Sequence, residues 1–186
     1  MIKHANQRVG VFIDTSNMYH SAKNLFNARV NFKAVLDSAV AGRQLIRAIA
    51  YVVRTKTGEE KPFFDALTSL GIETREKELM EYESGLKKAD WDVGIAVDAI
   101  RIASLLDVVV LASGDGDFHP LLEYLRNQGR QVEVIAFGKT TSGKLKEIAD
   151  DFIDLSADED LYLIPAGSRP ESGRSAIIRG GKRLPV

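Results

Sequence analysis

The sequence contains no cysteine, and this absence excludes disulfide bonds, thiolate zinc sites and cysteine nucleophiles. It has three histidines, too few and too scattered for a histidine-rich transition-metal site: His4, His20 and His119. No apolar run approaches the roughly 20 residues that a membrane helix needs, and the first eight residues lack the apolar stretch of a secretory signal. We therefore expect a cytoplasmic protein with no membrane partner.

Three signatures of common α/β enzymes are also absent. The segment Gly138-Lys139-Thr140-Thr141 lacks the upstream glycine of a phosphate-binding P-loop. There is no Gly-x-Ser-x-Gly nucleophile elbow, and no Gly-x-Gly-x-x-Gly dinucleotide fingerprint follows the first apolar run. These absences remove the main alternative chemistries of α/β proteins.

Negative charge is concentrated in the body of the chain. The net charge is −1, but the residues from Pro165 onward contain five basic residues against one acid, a charge of +4 that leaves −5 for the rest. Because that segment is rich in Gly, Ser, Pro and Arg and has no periodicity, we predict one domain over 1–164 and a disordered basic tail over 165–186. The tail is either an arm that binds a phosphate backbone or a solvated segment without a partner.

The remainder of the chain alternates between strand and helix patterns. Short apolar or alternating runs predict strands over 9–14, 45–55, 72–79, 107–112, 132–137 and 151–155. Helical spacing of apolar residues predicts helices over 16–26, 31–40, 60–70, 92–106, 118–127 and 142–149. The alternation predicts a three-layer α/β/α sandwich with a mostly parallel central sheet and right-handed crossovers.

Aspartates stand at the ends of two predicted strands. Asp14 closes the first strand, and Asp115 and Asp117 follow the run over 108–112. Ligands of parallel sheets bind at the carboxyl ends of strands, where a carboxylate is costly to bury unless something compensates its charge. A divalent cation is the simplest compensation for carboxylates that converge on one edge. Alternatively, Asp115 or Asp117 caps the next helix, and Pro120 favours Asp117 as the cap.

The helix over 92–106 is expected to add a fourth carboxylate to this edge. Its apolar positions at helical spacing include Val93, Val97 and Ile100. A helix that precedes a parallel strand runs antiparallel to it, so Asp92 in the first turn lies near the carboxyl end of the strand. Asp98 lies about 9 Å further along the axis. It either pairs with a side chain such as Arg101 or reaches the rear of the site.

Further polar and aromatic side chains are candidates for substrate contacts. Asn17 and Ser113 are placed to hold a phosphate oxygen or a metal-bound water, and each is alternatively a helix cap. Lys88 is a candidate clamp for a phosphate, with a solvated lysine as the alternative. Tyr19 and Trp91 are the best candidates for stacking on bases.

Three blocks of the sequence carry these residues: FIDTSN at 12–17, KADWDVGIAVD at 88–98 and LASGDGDF at 111–118. In this order they resemble the NYN domain, LabA-like branch, of the PIN-like nuclease superfamily. The resemblance implies a ribonuclease fold in which Asp14, Asp92, Asp115 and Asp117 hold Mg²⁺ or Mn²⁺. Asp98 and Asn17 also fall on positions that the family favours. The loop before Asp92 is one residue longer than in many members, so Asp90 competes with Asp92.

Two functions are therefore expected. The first is metal-dependent hydrolysis of RNA, single-stranded or structured, with those four aspartates as catalytic and metal-binding residues. Asn17, Ser113 and Lys88 would contact the substrate, and Asp98 would support the site from behind. The alternative is a non-catalytic metal- or RNA-binding regulatory module that acts through a protein partner, a reading favoured by the charge of −5 on the body. Both functions are compatible with a homo-oligomer.

Overall fold

The computed structural model describes residues 3–55, 57–81, 87–88 and 90–165. The helices in these ranges are α1 Thr15–Phe26, α2 Phe32–Val40, α3 Lys61–Ser69, α4 Asp92–Ile102, α5 His119–Asn127, α6 Gly143–Ile148 and α7 Glu159–Tyr162. The strands are β1 Arg8–Asp14, β2 Ala28–Val30, β3 Gln44–Arg54, β4 Glu73–Glu78, β5 Met80–Glu81, β6 Lys87–Lys88, β7 Val108–Ala112, β8 Gln131–Ala136, β9 Asp151–Asp154 and β10 Leu163–Pro165. Of these helices, none is long and apolar enough to cross a membrane.

Six strands form one central sheet in the order β4-β3-β1-β7-β8-β9, and every neighbouring pair is parallel. The chain builds the sheet outward from β1, first through β3 and β4 on one side and then through β7, β8 and β9 on the other. The strand order therefore reverses between β1 and β7, and the crevice outside their carboxyl ends is where such sheets bind ligands. The predicted three-layer α/β sandwich is confirmed.

Alternating side chains of the central strands fill two hydrophobic layers. Val11 and Ile13 of β1 point into the layer covered by α1, α2 and α3. Phe12 points into the opposite layer, which α4, α5 and α6 cover. This alternation follows from the two-residue period of a strand, and both faces must be apolar because helices cover both of them. The rigid layers fix the positions of the loops that follow β1 and β7.

Helix α4 buries a different face from the one suggested by its most regular apolar positions. Ile95 and Ala99 pack on the sheet, whereas Val93, Val97 and Ile100 are exposed, Val93 to 76%. The helix carries apolar residues on both faces, so their spacing predicts a helix without deciding which face packs. The predicted helix over 92–106 ends at Ile102 and continues as a 3-10 turn at Ala103–Leu105.

Two short antiparallel pairs lie outside the central sheet, β2 with β10 and β5 with β6. The sequence does not predict them, because two or three residues are too few to show a period of two. Pro165, the first residue of the predicted tail, pairs with Ala28 at the end of β10. The rest of that tail, 166–186, lies outside the described residues, and its role stays a prediction.

A buried ion pair joins the end of α2 to the central sheet. Two guanidinium nitrogens of Arg43 donate to the two carboxylate oxygens of Glu133 on β8, at 2.7 and 2.8 Å. The side chains are 0% and 1% exposed. Arg43 also donates to the carbonyls of Ala39 and Val40, which the end of α2 leaves without helical partners. Fixed charges and hydrogen bonds thus hold α2 against β8.

Candidate active site

Asp14 occupies the carboxyl end of β1 and caps α1. Its Oδ1 accepts from the backbone N–H of Asn17 at 3.1 Å, and its Oδ2 accepts from the Ser113 hydroxyl at 3.1 Å. The residue is only 8% exposed. Burial raises the pKa of Asp14, and the nearby charge of Asp115 raises it further, although the two hydrogen bonds oppose the shift. The fold therefore holds a costly carboxylate in one fixed orientation at the switch point of the sheet.

The loop after β7 holds the next two carboxylates. The Asp115 N–H donates to the Ser113 hydroxyl at 3.2 Å, and Asp115 Oδ1 accepts from the Asp117 N–H at 3.0 Å. Asp115 thereby caps the 3-10 turn Gly116–Phe118. The expectation that Asp117 is the cap is wrong, because the 3-10 turn starts the helical segment before Pro120. Asp117 is exposed.

Asn17 connects the loops of β1 and β7. Its Oδ1 accepts from the Gly114 N–H at 2.9 Å, a contact between residues 97 positions apart. The two alternatives drawn from the sequence were a helix cap and a contact with a phosphate or metal-bound water. The described contact is neither, since the amide oxygen holds the second loop against the first turn of α1. A substrate contact of Asn17 stays a prediction.

The first turn of α4 brings Asp92 to the same edge. Burial raises the pKa of Asp92 to about 6, and the charges of Asp90, Asp115, Asp14 and Asp117 contribute to the increase. The carboxylate of Asp90 accepts from the Asp92 N–H at 3.0 Å and so caps the start of the helix. Lys88 lies in β6, but its side chain is outside the described part of the chain, and its role stays a prediction.

Asp98 lies behind the edge, about 1.7 turns along α4 from Asp92. Its carboxylate accepts from the Tyr51 hydroxyl at 3.1 Å and lies 3.4 Å from a guanidinium nitrogen of Arg101 and 3.7 Å from one of Arg75. Burial, together with the charge of Asp98, raises the pKa of Tyr51. The contact with Arg101 is the pairing that the sequence suggests.

The two aromatic candidates lie in different environments. The indole N–H of Trp91 donates to the Val52 carbonyl at 3.0 Å, and its ring meets the edge of Tyr51 at 5.3 Å between centroids. A Cβ at position 94 would lie 2.6 Å from the Trp91 ring, so the glycine there lets the ring pack on α4. Trp91 therefore serves as a packing residue. Tyr19 is 47% exposed and keeps an accessible ring.

The sequence did not predict a third loop at this edge, the segment after β8. The Ser142 N–H donates to the Gly114 carbonyl at 3.0 Å. A Cβ at Gly114 would lie 2.9 Å from Thr141 Oγ1, and one at Gly116 would lie 2.9 Å from Ser142 Oγ. Both glycines of the Ser-Gly-Asp-Gly-Asp segment thus allow this loop to approach. The pair of glycines was the available signal, but the sequence does not show which loop packs there.

This chain matches the NYN domain over residues 8–157. It belongs to the NYN domain family. It is 30% identical over 182 residues to the low amplitude and bright protein LabA of Synechococcus elongatus, with 92% of this chain and 95% of that protein covered. Its structure is similar to the crystal structure of a protein of unknown function from Vibrio parahaemolyticus, with a TM-score of 0.78, 28% identity and coverage of 88% of this chain and 100% of that one. The predicted resemblance is confirmed.

The donor set of this NYN domain is chemically suited to a hard divalent cation. Carboxylate oxygens are the ligands that Mg²⁺ prefers, and the charges near Asp92 show that the carboxylates lie close enough to repel each other. Across the described ranges, however, no three His, Asp or Glu side chains are arranged to hold one ion as they stand. Asp14 is fixed by its hydrogen bonds, so completing a ligand set requires rotation of the Asp92, Asp115 or Asp117 side chains.

The raised pKa of Asp92 predicts a pH-dependent stability of the metal-free NYN domain. A carboxyl group that is harder to ionise when folded contributes stability that is fully present below its ordinary pKa near 4 and is lost as pH rises through about 6. We expect Asp92→Asn to raise the Tm at pH 7.5 by about 2–4 °C and to have no such effect at pH 4. The expected increase is small because solvent screens the charge of this partly exposed side chain.

Thermal unfolding in EDTA at both pH values measures this difference. Asp37→Asn is the matched control, because Asp37 is exposed and its carboxylate forms a surface ion pair with Lys33. The same shift at both pH values for Asp92→Asn would contradict the assigned pKa.

Proposed function

We propose that this protein is a metal-dependent ribonuclease that hydrolyses RNA phosphodiester bonds at the crevice between β1 and β7. The observation that carries the proposal is the placement of four carboxylates, from three separate segments, around the point where the strand order reverses. Membership of the NYN family, within the PIN-like nucleases, supports the same chemistry.

Asp14, Asp92, Asp115 and Asp117 would hold the metal in this proposal. When bound, the ion would supply an activated water and stabilise negative charge on the phosphate oxygens. Asp14 would present its carboxylate to the metal in one orientation, because hydrogen bonds from Asn17 and Ser113 hold it in place. Asn17 keeps the β7 loop at a constant distance from α1. In the metal-free protein, burial and the neighbouring carboxylates raise the pKa of Asp92 to about 6, and a bound cation would lower that pKa and favour the ionised form that a ligand requires.

The environment of Ser113 favours hydrolysis over a covalent mechanism. Ser113 is fully buried, and its hydroxyl donates to Asp14 while accepting from the Asp115 N–H. A nucleophilic serine must reach the substrate and pass its proton to a base. Ser113 is instead occupied in orienting two carboxylates, and the sequence contains no cysteine. This environment argues against Ser113 as the nucleophile, and the proposal therefore assigns the attack to water.

Asp117→Asn tests the proposal with little risk to the fold, because Asp117 is exposed. Purified wild-type protein should cleave RNA with Mn²⁺ or Mg²⁺ and lose this activity in EDTA. Removing one carboxylate ligand of the metal should slow cleavage about 10- to 100-fold. Product formation from labelled single-stranded and hairpin RNA measures the effect, and Asp37→Asn, at the opposite edge, should cleave like wild type.

Equal cleavage by wild type and Asp117→Asn would remove Asp117 from the site, and equal cleavage by Asp14→Asn as well would assign the activity to a contaminant. Absence of cleavage under all metal conditions, together with binding of Mn²⁺ or RNA by the wild type, would instead support the regulatory module. The regulatory module is tested because no three His, Asp or Glu side chains of the described residues are arranged to hold one ion as they stand.

A further inference from the structure

Five segments of the sequence run for at least 13 residues without an acidic residue: 1–13, 15–36, 38–58, 134–146 and 172–186. The whole chain has 26 acids among 186 residues, about one in seven. Residues 15–36 nevertheless contain no Asp or Glu, and neither do residues 134–146. Their basic residues are Lys23, Arg29, Lys33, Lys139, Lys144 and Lys146. Segments 15–36 and 134–146 therefore each carry a net charge of +3, whereas the body as a whole carries about −5.

The structure joins parts of the two segments into one surface. Thr140 Oγ1 donates to Ser21 Oγ of α1 at 2.9 Å, and the rings of Phe26 and Phe137 lie 5.8 Å apart. Helix α1 starts directly after Asp14, and the turn Gly138–Thr140 follows β8 at the same edge of the sheet. We use the term acid-free surface for the exposed residues of α1 and of segment 138–146. It adjoins the four carboxylates.

Three lysines of the acid-free surface are accessible to a ligand. Lys23, Lys139 and Lys144 are exposed, and the Lys23 side chain contacts only the exposed Tyr19, over whose ring its Nζ lies at 5.5 Å, among the contacts of the described residues. Lys146 is engaged within the protein, because its Nζ donates to the Gly138 carbonyl at 2.6 Å and lies over the ring of Phe152. The accessible cations come from α1 and from the loop after β8, which the contact between Thr140 and Ser21 holds together.

Tyr19 adds an aromatic face to this surface. It lies on the same side of α1 as Lys23, whose Nζ is 3.3 Å from the Tyr19 hydroxyl, and the ring of His20 meets it edge-on at 5.4 Å. Tyr19 is five residues from Asp14, about 7–8 Å along the helix axis. An exposed ring beside cations is the combination with which proteins bind single-stranded nucleic acid.

We propose that the acid-free surface is the binding face for the RNA strand, with Lys23, Lys139 and Lys144 on phosphates and Tyr19 stacked on a base. This inference rests on the proposed ribonuclease function and specifies how its substrate is held. Carboxylates alone repel a polyanion, so a separate cationic face is needed to keep the strand at the crevice. Stacking on one ring selects unpaired bases, and the substrate at this face is therefore single-stranded.

RNA binding by the full chain, measured in EDTA as the fluorescence anisotropy of a labelled single-stranded RNA, tests the inference without cleavage. Replacing Lys23, Lys139 and Lys144 by glutamine should weaken binding and reduce the slope of log K against log salt by about 0.7 for each lost contact. Tyr19→Leu should weaken binding about tenfold with an unchanged salt slope, and Tyr19→Phe should retain affinity because its ring still stacks.

The matched control replaces Arg54, Lys61 and Arg126 by glutamine, which removes the same charge from other exposed positions. Equal weakening by both triple variants, no weakening by the first, or no RNA binding by wild type would overturn the inference. Parallel assays with Mn²⁺ separate it from the proposed function. Cleavage that persists with unchanged binding in the first triple variant would reject only the binding face. Weakened binding by that variant, with no cleavage by wild type, would reject only the ribonuclease.

Discussion

Replacement of Asp14 by asparagine is expected to remove RNA cleavage without destabilising the metal-free protein. Asp14 is the most deeply buried of the four carboxylates and the one whose orientation is fixed by two hydrogen bonds. In the proposed mechanism, the neutral amide loses both the charge that attracts a cation and one carboxylate ligand. Because such electrostatic stabilisation is worth several kcal/mol, cleavage should fall by more than about 100-fold.

The stability of the same variant should change little or increase at neutral pH. Asparagine is as good a helix cap as aspartate, so its Oδ1 still accepts from the Asn17 N–H. Its amide group can donate to Ser113 Oγ, which has a second lone pair besides the one used by the Asp115 N–H. The variant also removes a buried charge whose ionisation the fold opposes, as the raised pKa of Asp14 indicates.

Two measurements check this prediction. The Tm of Asp14→Asn in EDTA at pH 7.5 should equal or exceed that of wild type, while Mn²⁺ should raise the Tm of wild type alone. Asp14→Ala is the contrasting variant, because it also removes the cap and should lose about 1 kcal/mol of stability. A Mn²⁺-dependent increase in Tm as large for Asp14→Asn as for wild type would show that Asp14 is not a ligand.

The sequence predicts the part of the site that depends on strand ends. The runs before Asp14 and Ser113 are apolar on both faces, so they read as central parallel strands, and the rule on carboxyl ends then places the aspartates at one edge. The position of Asp92 follows from the direction of α4 relative to β7. These inferences need only the local pattern and the handedness of the crossovers.

Contacts between distant loops are not predictable in the same way. The contact between Asn17 and Gly114 depends on the distance between two loops, and the packing of Ser142 on Gly116 depends on a third. The cap at Asp115 rather than Asp117 depends on whether the turn is 3-10 or α-helical, a difference of one residue. The buried face of α4 is ambiguous because both of its faces are apolar. These features are set by tertiary packing, which periodicity does not encode.

Arg43 and Glu133 are 90 positions apart in the chain and form a buried ion pair. Among the substitutions proposed for this protein, disruption of that pair is expected to cause the largest loss of stability. Glu133→Gln would leave the Arg43 guanidinium buried without its counter-charge, and the nearby Lys3 ammonium, at 3.5 Å from Glu133, would add repulsion. Breaking one side of a buried pair typically costs about 3–5 kcal/mol. Urea unfolding followed by circular dichroism should show this loss as a lower midpoint.

Removing both charges should be less harmful than removing one. In Arg43→Met with Glu133→Leu, no charge is left buried without a partner, and apolar side chains of similar size can fill the space, so most of the lost stability should return. Some loss should remain, because the carbonyls of Ala39 and Val40 lose the donors that Arg43 provides. The control is the exposed pair of Arg47 and Glu73, where Glu73→Gln should cost no more than about 1 kcal/mol. A double variant as unstable as Glu133→Gln would show that the packing of these side chains, and not their charges, holds α2 to the sheet.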